Sequence, residues 1–254
     1  MNEYISKQNL KNKEKMTILK LLLMTLVPSL ISTFLYITIG MFWQGIPSII
    51  LLFVLAIPTL FTFEMVTVLL ANKKEYGKCG LQIVFSKCEK IKWWKIFIYA
   101  FILFIFTGIM SITIAPLEDM LMKGVSDNLY DLLPAYFDWT NFEFMKQYSK
   151  EVLIFTSIFY IITNVLICPI TEEIYFRGYL TNRLERYGTI APIIVSVAFS
   201  LYHWWLPLNN IFRICVFAVA FVITYKKKNI YISIVFHCLC NLFSSISFIL
   251  ALFN

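Results

Sequence analysis

The chain has 254 residues, of which 59% are hydrophobic and 15% charged, with a formal net charge of +7. A mean hydropathy of +0.75 is far above that of a water-soluble domain of this length, which excludes a soluble enzyme or binding module. The basic excess lies in short segments beside apolar runs, where anionic lipid attracts each cation by about 1 kcal/mol, so membrane lipid and not nucleic acid is the expected partner.

Seven runs long enough to cross a bilayer are read along the chain, at 16–41, 46–71, 94–116, 152–186, 190–207, 211–225 and 230–253. The expected fold is all-α: a polytopic transmembrane helical bundle of about seven helices, forming a single integral membrane domain over 1–254. The first run follows "SKQNLKNKEK" but is too long for a signal-peptide core and lacks a small-residue cleavage site, so it reads as a retained helix.

Charge is sorted between the runs. Lys7, Lys11, Lys13 and Lys15 precede the first, seven lysines lie within 73–95, Arg183 and Arg186 follow the fourth, and "KKK" occupies 226–228. These segments alternate with a neutral "FWQGIP" connection, an acidic loop over 117–149 (Glu118, Asp119, Asp127, Asp131, Asp138, Glu143) and an "LPLNN" turn. Basic loops face the cytoplasm, which places the protein in the cell membrane with its N-terminus cytoplasmic and its C-terminus outside. Part of the acidic segment is expected to lie in the outer interface as a short amphipathic helix. Cys168, Cys215, Cys238 and Cys240 fall in apolar runs and read as ordinary core. Cys79 and Cys88 fall in a loop placed in the cytoplasm, where disulfides are disfavoured.

Ionisable groups at membrane depth are costly and therefore functional candidates. In "CPITEEIYFRGYL", Glu173 and Arg177 are four residues apart and share a helix face, whereas Glu172 is turned by about 100° and points elsewhere. Glu173 and Arg177 read as a structural ion pair, and Glu172 as a buried carboxyl or a general base. The chain's two histidines stand in "FSLYHWW", with Phe199 four residues before His203, and in "FHCLCN", with Asn241 four residues after His237. Measured from the nearest basic anchors at 1.5 Å per residue, Glu172 and His203 lie about 21 Å deep, His237 about 14 Å and Asn241 about 20 Å. Four polar groups from three helices thus fall in one layer.

His237 and Asn241 suit either an interhelical hydrogen-bonding pair or an oxyanion site. A zinc alternative would take Glu172, His203 and His237, but the chain has no HExxH, and a metal-free site without cofactor is expected. Glu64, about 12 Å deep, reads as a partner of Arg177 or as a group reaching the cytoplasmic interface. Arg213 reads as a snorkelling side chain at an outer helix end, and Trp93, Trp94, Trp204 and Trp205 as interfacial anchors.

EExxxR at Glu172, Glu173 and Arg177, FxxxH at Phe199 and His203, and HxxxN at His237 and Asn241, in that order on membrane helices, resemble the CPBP intramembrane protease family. That family contains the CAAX-processing proteases and the Abi proteins linked to bacteriocin processing and self-immunity. The resemblance covers about 150–245. It implies a protease core in which Glu172 and His203 activate water, His237 and Asn241 stabilise the oxyanion, and Glu173 and Arg177 support the site. The family was long labelled a metalloprotease, and the resemblance implies a metal-independent, glutamate-dependent mechanism. The interval between the histidines is short beside that of CAAX-processing members. With Lys-, Ile- and Asn-rich usage suggesting an AT-rich bacterial genome, this favours a peptide pheromone or bacteriocin precursor over a prenylated protein as substrate. A non-catalytic immunity or scaffold protein, and a proton-coupled carrier using Glu172 and His203 as a relay, are the other classes the residues allow.

Overall fold

The computed structural model describes residues 16–205 and 209–254. The N-terminal lysines at 7, 11, 13 and 15, residues 206–208 of the "LPLNN" turn and the side chain of Asp131 lie outside the described residues. Helix follows helix, with no strand among the described residues. The main elements are α1 (Ile18–Phe42), α2 (Ser48–Tyr76), α3 (Trp93–Leu132), α4 (Lys150–Arg183), α5 (Ala191–Leu201), α6 (Asn210–Lys227) and α7 (Tyr231–Phe253).

Local chemistry sets their ends. Thr17 and Ser149 cap α1 and α4 by accepting the backbone N–H groups of Lys20 and Val152. Gly77 terminates α2 in the left-handed region, at φ 77°, where lack of a Cβ removes the steric penalty. Within α2 and α4 the backbone widens into π-helical turns at Ile57–Phe61, Ile161–Ile167 and Glu173–Leu180. Pro58 lies in the first, and Pro169 follows the second. A proline supplies no N–H and crowds the carbonyl four residues earlier, which favours a local change of hydrogen-bond register.

Among the described residues, five helices are long and apolar enough to cross a membrane: α1, α2, α3 over Trp93–Asn128, α4 and α7. The expected crossings at 190–207 and 211–225 correspond to α5 and α6. With 11 residues, α5 is about 17 Å long, short of the roughly 30 Å hydrocarbon core. The 18 residues of α6 reach about 27 Å and include Arg213, Lys226 and Lys227. The structure therefore carries five of the seven expected crossings on length and composition, and two shorter helices complete the bundle. A rim of exposed Phe97, Phe101, Ile105, Ile109 and Ile112 on α3 is the surface that lipid, not water, accommodates. The protein is an integral membrane protein.

The acidic segment departs from its expected place. Residues 117–132 continue α3, and Glu118, far from lying in a loop, is buried and accepts the backbone N–H groups of Ile211 (2.9 Å) and Phe212 (2.7 Å). It thus caps α6 from a neighbouring helix. The following stretch folds back over the α1–α2 connection: Tyr136 and Tyr148 donate to the carbonyls of Ile46 and Gln44, and Trp139 donates to the Tyr36 hydroxyl.

At the interior, α7 packs on α3 and on the π-helical part of α4, while α5 packs on α6 and α1. The motif-bearing segments thereby surround one space.

Candidate active site

Glu173 organises the site. It is fully buried, and its carboxylate meets three groups: the Nδ1 of His237 at 2.9 Å, the hydroxyl of Ser233 on the same helix as His237, and the Nε of Arg177 at 2.8 Å. The expected Glu173–Arg177 pair is present. It is an electrostatic contact, because none of the guanidinium nitrogens is aligned for a hydrogen bond. Aromatic faces take up the rest of the cation, with its central carbon 3.1 Å from the Phe221 ring centroid and 4.4 Å from that of Phe199. Such faces stabilise a desolvated guanidinium.

Glu172 diverges from Glu173 along the helix, yet the two carboxyls straddle one ring. His237 meets Glu173 through Nδ1, and its Nε2 lies 3.8 Å from Glu172 Oε2. That separation is beyond a direct hydrogen bond but close for two buried polar groups. Glu172 accepts from the Tyr202 hydroxyl at 3.2 Å. Glu173 keeps Arg177 while Glu172 points elsewhere, into the cavity, and the two carboxyls address His237 from opposite edges.

His203 stands just beyond α5. Its Nδ1 lies 2.7 Å from the carbonyl of Phe199. A carbonyl can only accept, so Nδ1 carries the proton and Nε2 keeps its lone pair in the neutral ring. The FxxxH spacing thus has a mechanical meaning: the histidine closes the last turn of α5 and is fixed in one tautomer. Asn241, one turn beyond His237 on α7, donates to the carbonyl of Asn164 at 2.7 Å, within a π-helical turn of α4, and Asn164 donates to Ser245.

Glu172, His203, His237 and Asn241 all line a single cavity of about 870 Å³, whose walls include Tyr160, Phe199, Phe217 and Trp139. This is within the size range of ligand clefts, and an apolar wall with a few convergent polar groups is their usual make-up. Glu173 and Arg177 stand behind it and do not line it.

Several neighbours of the site stand elsewhere than the sequence suggests, and others carry no sequence signal. Arg213 does not snorkel: it is buried, donates to the carbonyl of Ser200 at 3.2 Å and lines the cavity. Trp205, read as an interfacial anchor, lies 5.1 Å from the His203 ring, centroid to centroid, and also lines the cavity. Trp93, Trp94 and Trp204 are exposed. Tyr202, Asn164 and Ser233 carried no signal beyond adjacency or helical spacing to motif residues. Glu64 is buried beside Tyr202, near enough to Glu172 and Arg177 for their charges to interact, but makes no ion pair with Arg177.

As to metal, no three His, Cys, Asp or Glu side chains among the described residues converge closely enough to hold an ion. Glu172, His203 and His237 do not form a ligand triad here, and His237 has Nδ1 committed to Glu173.

Compared with known proteins, a family model described as type II CAAX prenyl endopeptidase, Rce1-like, matches residues 154–243. No curated protein and no solved structure matches the chain. The matched segment includes EExxxR, FxxxH and HxxxN in full, and every polar group named above on the wall of the cavity's motif side. Over residues 154–243 the chain is thus similar to the Rce1-like type II CAAX prenyl endopeptidases.

Proposed function

We propose that the protein is a metal-free, glutamate-dependent intramembrane endopeptidase that hydrolyses a peptide bond of a membrane-associated peptide or protein. One observation carries the reading: two groups suited to accept a proton and two suited to donate hydrogen bonds line the same cavity, behind which Glu173 and Arg177 hold His237 in place.

In the proposed reaction a water held by Glu172 and the Nε2 lone pair of His203 loses a proton to Glu172 as its oxygen attacks the scissile carbonyl carbon. The carbonyl oxygen becomes an oxyanion, and it receives hydrogen bonds from the Asn241 amide and, when the ring is doubly protonated, from His237 Nε2–H. Collapse breaks the C–N bond. The proton held by Glu172 passes to the departing nitrogen, leaving an amine and a carboxylic acid, which ionises. General base catalysis contributes about 10²- to 10⁴-fold, and each preorganised oxyanion donor about 10²- to 10³-fold.

The substrate we infer is a peptide precursor such as a pheromone or bacteriocin. An apolar cavity takes a hydrophobic segment without requiring a prenyl group. With the basic ends of the helices at the cytoplasmic face, the N-terminus is cytoplasmic and the C-terminus outside.

The test is cleavage of candidate precursors by the full chain in lipid vesicles, with and without chelator. Wild type is expected to cleave in both conditions, and Glu172→Gln and His203→Ala to lose at least 10²-fold in rate. Unchanged cleavage by either variant would overturn the mechanism, loss of cleavage on chelation would restore a metal, and substrate flux without cleavage would favour the carrier.

A further inference from the structure

Helix α5 ends where the site needs His203, and the sequence motif does not account for how it ends. The last turn of an α-helix leaves carbonyls without an intrahelical N–H, and together they form a negative pole. At the end of α5 three carbonyls have partners. The Phe199 carbonyl takes the Nδ1 proton of His203, and the Tyr202 carbonyl accepts from the hydroxyl of Ser29 on α1. The Ser200 carbonyl accepts from the His203 backbone N–H and from Arg213 Nη1, each at 3.2 Å. The Ser200 hydroxyl in turn donates to Asn210 Oδ1 at 2.9 Å, at the start of α6. His203 and Arg213 thus stand on the two sides of one α5–α6 latch, and α6 is fixed at the same end by Glu118.

The latch has an electrostatic consequence. A protonated histidine is favoured at a helix C-terminus, and a second proton on His203 would occupy Nε2 and remove the lone pair that holds water. The buried guanidinium of Arg213 sits at that negative pole instead, and its charge opposes the second proton. Burial first, and Arg213 next, hold the His203 ring well below the usual histidine range. Arg177 on α4 and His237 on α7 act on the ring in the same direction, and Glu172 shares its cavity wall. Of these groups, Arg213 is the one that is also hydrogen-bonded to the turn carrying the ring.

We propose that Arg213 is a positioning residue of the proteolytic site: it clamps the carbonyl end of α5 and keeps His203 as the neutral Nδ1–H tautomer, with Nε2 available to the attacking water. Its effect on cleavage rests on the protease reading; its hold on His203 does not.

The chain has two histidines, so NMR of the full chain in lipid nanodiscs, with histidine labelled with nitrogen-15, reads each ring, and His203→Gln assigns the signal. In wild type the His203 ring is expected to be neutral and protonated at Nδ1 near neutral pH. Loss of a neighbouring cation favours the charged ring, so in Arg213→Gln its protonation should move up by about one pH unit. Arg213→Lys, which keeps the charge and a donor, should stay near wild type. For a precursor peptide that wild type cuts, kcat should fall about tenfold in Arg213→Gln with KM unchanged, and the acid limb of kcat should move to higher pH with the ring. Melting temperatures of the same proteins separate this loss from unfolding. A His203 ring with the same tautomer and titration in Arg213→Gln as in wild type would overturn the proposal. Equal loss of kcat in Arg213→Gln and Arg213→Lys, the mark of a purely structural side chain, would do so as well. A displaced ring titration in a protein that cuts no peptide would uphold the hold of Arg213 on His203 and overturn the protease reading.

Discussion

Helix α3 holds a window of hydropathy 2.3 within Trp93–Asn128 and α4 one of 2.1 within Lys150–Arg183, yet 11% of the first window and 39% of the second is buried inside the protein. By sequence they are near-equivalent spans. In the fold α3 is a wall whose outer face meets lipid, while α4 is the interior helix, widened by two π-helical turns and carrying Glu172, Glu173 and Arg177. The contrast teaches that hydropathy measures the solvent a helix tolerates, not the neighbours it meets. Polar groups survive on α4 because other elements supply partners: Tyr202 for Glu172, His237 and Ser233 for Glu173, and aromatic rings for Arg177. Such partners replace the water a buried charge gives up.

The contrast can be broken by substitution. The largest effect is expected at the interior hub: Glu173→Ala leaves Arg177 without its carboxylate and His237 without its Nδ1 partner, and should destabilise the protein by about 3–5 kcal/mol, read as thermal unfolding in detergent. Stability close to wild type would show that the aromatic cage alone holds the cation.

Gly178→Ala comes next. A methyl there would collide with Val84 and stand 3.1 Å from Ile230 Cδ1, so α4 would be pushed from the 82–85 turn, with an expected loss of about 1–3 kcal/mol in the same unfolding measurement.

A smaller effect, about 1–2 kcal/mol, is expected from Glu118→Ala, which uncaps α6. It would sharpen the comparison by showing that the mostly lipid-facing α3 still contributes a polar contact to the interior; protection of the Ile211 and Phe212 amides from hydrogen exchange should fall with it.

The smallest stability effect is expected on the wall itself. Ile112→Ala, at a position 76% exposed, should change stability by less than about 0.5 kcal/mol. Gly108→Phe should be similarly mild, because nothing lies within 4 Å of an added Cβ, but residue 108 lines the large cavity. Cleavage by this variant should show a raised KM with little change in melting temperature, and an unaltered KM would mean that the substrate does not pass this wall.

The legible part of the site was its pairing by helical period. Glu173 and Arg177 at four residues, and His203 reaching the Phe199 carbonyl four residues earlier, follow from rise and rotation within one chain segment. Placing His237 between two glutamates did not follow, since it depends on the approach of α7 to α4. Arg213 and Trp205 were misread for the same reason: a residue near a helix end looks interfacial when only distance along its own helix is counted, and α5 and α6 are too short for that distance to mean membrane depth. Glu118 looked like part of a solvated acidic loop because Pro116 and scattered charges interrupt the apolar run, whereas α3 continues through them to Leu132.

By itself the sequence determined the solvent, the helical class, and the three motifs with their internal spacing, because hydrophobicity and the 3.6-residue period act locally and leave a direct trace in residue order. Tertiary structure alone decided which carboxyl meets which histidine nitrogen, that Arg177 stands behind the large cavity and not on its wall, and which of two similar spans faces lipid. Those outcomes rest on contacts between segments up to 173 residues apart, such as Ser29 with the Tyr202 carbonyl. Such contacts arise from packing whole helices against one another, for which no short stretch of chain holds the information.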